Sequence, residues 1–208
     1  MSGPAGGERE GDGGDCEGDG EGGARTAIEA LFGARTALIV DDVITAERAA
    51  EARARLELAG YQRYRLLDRG SYELVGDPLL GYLLADLAQL ASTRTGRTLA
   101  PIEARALRLG PGDYLLGHHD VVHDDHPLEL ILDLSAAAVP GAEVHYRRRG
   151  QVFFRMPSAP RALASVERGP TVTCHHTYVS KLDPDAAIVR LVALLRDAGL
   201  GNARRRGR

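Results

Sequence analysis

Residues 112–126 read GDYLLGHHDVVHDDH, which gathers four of the chain's seven histidines with four aspartates. Imidazole nitrogens and carboxylate oxygens are donors that transition metals take, so the first question is which of these side chains can meet at one ion. His118 and Asp120 stand two apart, and residues two apart on a strand project to the same side of the sheet. One nitrogen and one oxygen can then reach a common point, while His119 between them faces the other way. His123, Asp124, Asp125 and His126 precede Pro127 and read as a solvated loop. A third ligand must come from further along, where the histidines are His145, His175 and His176.

Two histidines and one carboxylate on a β scaffold, with the other coordination positions left open, form the facial triad of non-haem Fe(II) oxygenases. A closed set of four ligands would instead be structural. His175 and His176 are neighbours, so a strand there turns one of them inward as a ligand and the other outward.

These side chains need elements to position them. ITAERAAEARARLELAGY has a Thr cap, a following Glu and apolar residues at helical spacing. DPLLGYLLADLAQLASTRTG predicts a second helix with Leu79, Leu80, Leu83, Leu87 and Leu90 along one side. YQRYRLLDRGSYELV reads as extended structure broken at Gly70, and its polar residues Arg69 and Tyr72 are candidates, with Tyr146, for substrate contacts. Beyond about residue 98 the texture changes to short alternating or apolar runs divided by Gly, Pro and Asp, including PIEARALRL, LELILDLS, AEVHYRRRG, QVFFRMP, RALASVERG and TVTCHHTYVSKL. Such runs predict a β-sandwich or jelly roll with the helices of the first half on one outer face. AAIVRLVALLRDAG fits either a strand or a helix.

The order of these motifs resembles the iron(II)/2-oxoglutarate-dependent oxygenase superfamily, in its prolyl-hydroxylase-like H-x-D…H form. RLGPGDYLLGHHD is similar to its strand entry, ELILDLS to the following strand, GAEVHYR to its Gly-Glu-rich turn, and PSAPRALASVERGPTVTCHHTYVSKL to the segment bearing the distal histidine. IVRLVALL is similar to the strand with the basic anchor, so the resemblance spans roughly residues 98–197. It implies an α+β, mainly β fold with a double-stranded β-helix core, jelly-roll or cupin-like. It also implies Fe(II), 2-oxoglutarate and O2 as cofactor and co-substrates, with ascorbate as a stimulant and succinate and CO2 as co-products.

Carried onto this sequence, the resemblance makes His118, Asp120 and His176 the iron ligands, with His175 as the alternative to His176. Arg190 would pair with the distal carboxylate of 2-oxoglutarate through its planar fork, with Lys181 as competitor. Leu109 stands where an aromatic residue often precedes the family's Gly-Asp, and Tyr114 or Tyr146 would then supply that contact. Asp120 retains the carboxylate that halogenating relatives lose, which favours hydroxylation. The implied activity is oxidation of a C–H bond in a small molecule such as an amino acid or biosynthetic intermediate. The alternatives are a peptidyl or protein hydroxylase on the same core and a non-catalytic cupin-like metal-binding module.

The rest of the chain bounds these readings. Residues 1–24 are almost all Gly, Asp, Glu and small residues and read as a disordered leader; 25–202 read as one domain, with TAIEALFGA as a short helix, and 203–208 as a basic tail. In 208 residues, 44% hydrophobic content suffices for one core, and a net charge of −3 gives no reason to expect nucleic acid or an anionic membrane. Cys16 and Cys174 are too few for a disulfide scaffold, which fits a reducing cytoplasm. The expected partner is a small-molecule substrate, and a homodimer is compatible with the sequence.

Overall fold

The computed structural model describes residues 37–118, 128–169 and 171–198, and at His118 the backbone alone. The leader, TAIEALFGA, the HDDH stretch, Asp120 and the basic tail lie outside the described residues.

Among the described residues, eleven strands and two helices follow one another. β1 (Leu38–Val40) leads into α1 (Ala46–Ala59), where the Thr45 hydroxyl accepts from Arg48 N at 3.3 Å and satisfies a helix donor that has no partner within the helix. The helix stops at Gly60, whose positive φ of 82° lets its N–H turn back to the carbonyls of Leu56 and Glu57. Its inward stripe is Ala49, Ala52 and Leu56, small at first and large at the end. β2 (Gln62–Leu66) and β3 (Gly70–Gly76) form a hairpin, and α2 (Gly81–Thr95) follows. Leu80, Leu83 and Leu87 are buried as the leucine spacing predicts, but Leu79 precedes the helix and is 81% exposed.

The remaining strands are β4 (Leu99–Leu109), β5 (Tyr114–His118), β6 (Leu128–Asp133), β7 (Val144–Arg148), β8 (Gln151–Met156), β9 (Leu163–Glu167), β10 (Val172–His176) and β11 (Ile188–Asp197). They join in the order β1-β9-β6-β11-β4-β3-β5-β10-β7-β8, with β2 on β3, and every pairing is antiparallel. The run that could have been a helix is the central strand β11, held between β4 and β6 and buried over its first eight residues.

Alternation along β6 and β11 separates two cores. Leu128, Leu130 and Leu132 of β6, with Val189, Leu191, Ala193 and Leu195 of β11, pack under both helices. Ile131, Ile188 and Val192 face the other way, into a core shared with Val144, Tyr146, Met156, Val172 and Cys174 of β7, β8 and β10. Strands distant in the sheet order therefore share one interior, so the sheet curls over on itself into a jelly roll with its helices on one outer face. The inward face of β6 and β11 also carries Glu129, Asp133 and Arg190, all buried.

Candidate active site

On β10 the side chains alternate as a strand requires: Cys174 and His176 are buried among the interior residues, and His175 is half-buried on the outer side. There the His175 ring stacks on His145 across β7, with centroids 6.0 Å apart, and His145 Nε2 pairs with Glu143 at 2.6 Å. The inward histidine of the adjacent pair is thus His176.

Across β10, Cys174 pairs with Tyr146 of β7 on one side and with the backbone position of His118 on the other. The next pair on the β5 side is His176 with Leu115, so two steps along β10 match three along β5. That extra residue is a β-bulge, a device that changes which face the following residues present. The bulge lies immediately before the H-x-D motif.

Arg190 arrives from the opposite wall, on β11 between Leu107 and Asp133. It is 1% exposed, and so is His176. Arg190 Nη1 lies 3.0 Å from His176 Nδ1 and Nη2 donates to the Ala142 carbonyl at 3.1 Å, while Nε has no hydrogen-bond partner. Burial pushes the Arg190 pKa below its usual range, against the opposing influence of Asp133, Cys174 and Tyr146. The oxygens of Asp133 are occupied by the N–H groups of Ser135 and Ala159.

A second interior arginine is differently placed. Arg168 pairs with Glu129 at 2.6 Å with both side chains 1% exposed, and the Tyr146 hydroxyl donates to the same carboxylate. Burial and then Glu129 raise the Tyr146 pKa well above the ordinary range, so the phenol stays protonated and remains a donor. Arg168 therefore has its counter-charge within the fold, whereas no carboxylate among the described residues pairs with Arg190. A buried guanidinium without an anion is costly, and a bound carboxylate would relieve that cost. Lys181 is exposed, with its methylenes lying over Gly112.

Arg190 and His176 meet, and Tyr146 lies in the same interior, occupied by Glu129. Tyr114 does not join them: its ring lies against Gly70, where a Cβ would sit 2.8 Å from Tyr114 Cδ2. Tyr72 stacks on Tyr64 at 5.4 Å and packs against the inner core. Arg69 is exposed in the β2–β3 turn, and its carbonyl accepts from Leu116 N at 2.8 Å, tying that hairpin to β5.

Sequence reasoning gave no role to Asp113, Glu129 or Arg168. Asp113 accepts from both Arg63 Nη atoms at 2.7 and 2.5 Å, from Ser71 at 2.7 Å and from Gly110 N at 2.9 Å, so it anchors the β2–β3 hairpin to the entry of β5. Its backbone and that of Gly112 also bond to Val179, beyond β10. The signal for Glu129 was available, because the alternation in LELILD turns a lone Glu onto the inner face.

Among the described residues, no group of three or more His, Cys, Asp or Glu gathers as a metal cage; Asp120 is not among those residues. What the interior does offer is an inward imidazole with the Cys174 thiol 3.8 Å from its Nε2, and beside it a buried cation able to receive a carboxylate. Both features fit an imidazole-ligated metal with an anionic co-substrate.

No protein-family model matches the chain, and no curated protein matches its sequence. Solved structures do match in fold. A prolyl-4-hydroxylase from Pseudomonas putida superposes with a TM-score of 0.63 at 17% identity, over 83% of this chain and 98% of its own. The non-heme alpha-ketoglutarate-dependent epimerase SnoN from nogalamycin biosynthesis gives 0.65 at 16% identity, over 84% and 82%. An oxidoreductase of the 2OG-Fe(II) oxygenase family from Burkholderia pseudomallei gives 0.65 at 13% identity, over 82% and 90%. The chain has the jelly-roll fold of the 2-oxoglutarate- and Fe(II)-dependent oxygenases.

Proposed function

We propose that the protein is a non-haem Fe(II)- and 2-oxoglutarate-dependent oxygenase that hydroxylates a C–H bond of a small molecule. The observation that carries this reading is the buried Arg190 guanidinium, which pairs with no carboxylate among the described residues and is in contact with an inward-facing histidine on the facing wall. His176 would be one iron ligand, and His118 and Asp120 the other two. Bound iron with O2 and 2-oxoglutarate would supply the oxidising chemistry, leaving succinate and CO2.

The remaining work falls to this chain. Arg190 receives the distal carboxylate of 2-oxoglutarate as a two-pronged ion pair, which sets the depth and direction of the co-substrate. The apolar interior around Val144, Leu115, Ile188 and Val192 keeps water from the reacting atoms. Tyr146, held by Glu129, closes part of that interior.

Anaerobic addition of Fe(II) and 2-oxoglutarate to the full chain tests this reading. A visible metal-to-ligand charge-transfer band is expected, absent in His176→Ala, together with iron-dependent succinate formation in air. Absence of the band in the wild-type protein would overturn the proposal. A mass-spectrometric screen of amino acids and biosynthetic intermediates, alongside proline-containing peptides, separates a small-molecule enzyme from a peptidyl hydroxylase.

A further inference from the structure

Arginine has only donors, so in the Arg190–His176 contact the histidine Nδ1 must be the acceptor. A neutral imidazole that accepts at Nδ1 carries its proton on Nε2, the nitrogen 3.8 Å from Cys174 Sγ. Metal binding at either nitrogen breaks this arrangement. Ligation through Nδ1 uses the lone pair that Arg190 occupies. Ligation through Nε2 moves the ring proton to Nδ1, where it would point at an Arg190 N–H, donor against donor.

We propose that Arg190 is a positioning residue for the metal ligand as well as the anchor of the co-substrate, holding His176 in a form that cannot ligate until an anion draws the guanidinium away. The inference rests on the metal reading above and adds a linkage to it. A dicarboxylate on Arg190 frees His176 for the metal, and a metal on His176 frees Arg190 for the dicarboxylate. Each must then tighten the other by the same factor. This coupling is separate from chelation of the metal by the 2-oxo acid, because it acts through the distal carboxylate. The proton count on His176 does not change, since one proton leaves one ring nitrogen and one occupies the other.

Calorimetric titration of the full chain with Co(II) under argon tests the linkage, with glutarate as the probe because it has the five-carbon dicarboxylate skeleton without the 2-oxo group. Glutarate should tighten Co(II) binding by about tenfold, within the usual span of coupling between two sites. Arg190→Met should bind Co(II) about tenfold more tightly than wild type without any dicarboxylate, and lose the glutarate effect. Nitrogen-15 NMR of the metal-free wild-type protein should place the His176 proton on Nε2, an arm that does not depend on the variant folding. A proton found on Nδ1, or Co(II) affinity that glutarate leaves unchanged in the wild type, overturns this inference while the metal reading stands. No Co(II) binding by wild type or variant overturns both.

Discussion

Arg190 Nη1 and His176 Nδ1 lie 3.0 Å apart although their strands, β11 and β10, are separated by β4, β3 and β5 in the sheet order. Only the curling of the sheet brings them together, so the contact depends on the whole jelly roll and not on any local motif. It also separates two cations that the sequence left as rivals, since Arg190 is buried in the interior and Lys181 is exposed over Gly112.

Arg190→Ala is therefore expected to weaken 2-oxoglutarate binding by about 2–5 kcal/mol, the range for truncating one partner of a buried, hydrogen-bonded charge pair. Lys181→Ala should stay within about 0.5 kcal/mol of wild type, as surface changes usually do. Anaerobic titration of 2-oxoglutarate into the Co(II)-loaded variants measures both. Equal losses in the two would remove the distinction.

The same geometry divides the adjacent histidines. His176→Ala should abolish tight binding of one metal equivalent, whereas His175→Ala removes a ring stacked on His145 at the outer surface and should retain it. Metal content after gel filtration reads this directly. Retained metal in His176→Ala with loss in His175→Ala would reverse the assignment.

How much of this could be read from the chain depends on distance along it. The two helices, the short strands and the opposite facing of His175 and His176 follow from caps and from periods of 3.6 and 2, which are local; that His176 is the inward one is set by the pairing of β10 in the sheet. Leu79 misled because helical spacing continues past the point where Pro78 and the following turn delay the helix. The strand identity of IVRLVALL was ambiguous because a strand buried on both faces has no alternation to betray it. The buried pair Glu129–Arg168 and the anchoring role of Asp113 needed tertiary pairing, since neither Arg168 nor Arg63 is near its partner in sequence. The bulge in β5 was likewise unreadable, because it exists only relative to β10.

Glu129 and Arg168 form a buried ion pair completed by Tyr146. Removing one partner strands the other charge in the core, so Glu129→Ala should cost about 3–5 kcal/mol of stability. Replacing both, as Glu129→Leu with Arg168→Met, should restore most of that loss, because no unpaired charge then remains. Urea unfolding followed by circular dichroism gives both values. A double variant as unstable as the single one would mean that the pair itself, and not the absence of a stranded charge, stabilises the interior.

Asp113 makes a pH-dependent contribution whose sign can be worked out. Burial alone would raise its pKa, but hydrogen bonds from Arg63, Ser71 and Gly110 N together with the Arg63 charge outweigh burial and hold it below the ordinary value of 3.8. The folded state therefore binds this proton less readily than the unfolded chain. Stability from the ionised carboxylate is fully present above the unfolded value near 3.8 and is lost as pH falls through the lower folded value. Asp113→Asn cannot accept all four bonds and should cost about 1–3 kcal/mol at neutral pH. The difference between wild type and variant should then shrink progressively below pH 3.8, because the wild type loses there what the variant lacks everywhere. Urea midpoints from pH 7 down to about pH 3 test this. Because Asp113 fixes the β2–β3 hairpin to the entry of β5, the same substitution should raise the protease sensitivity of that hairpin before the core strands β6 and β11 are affected.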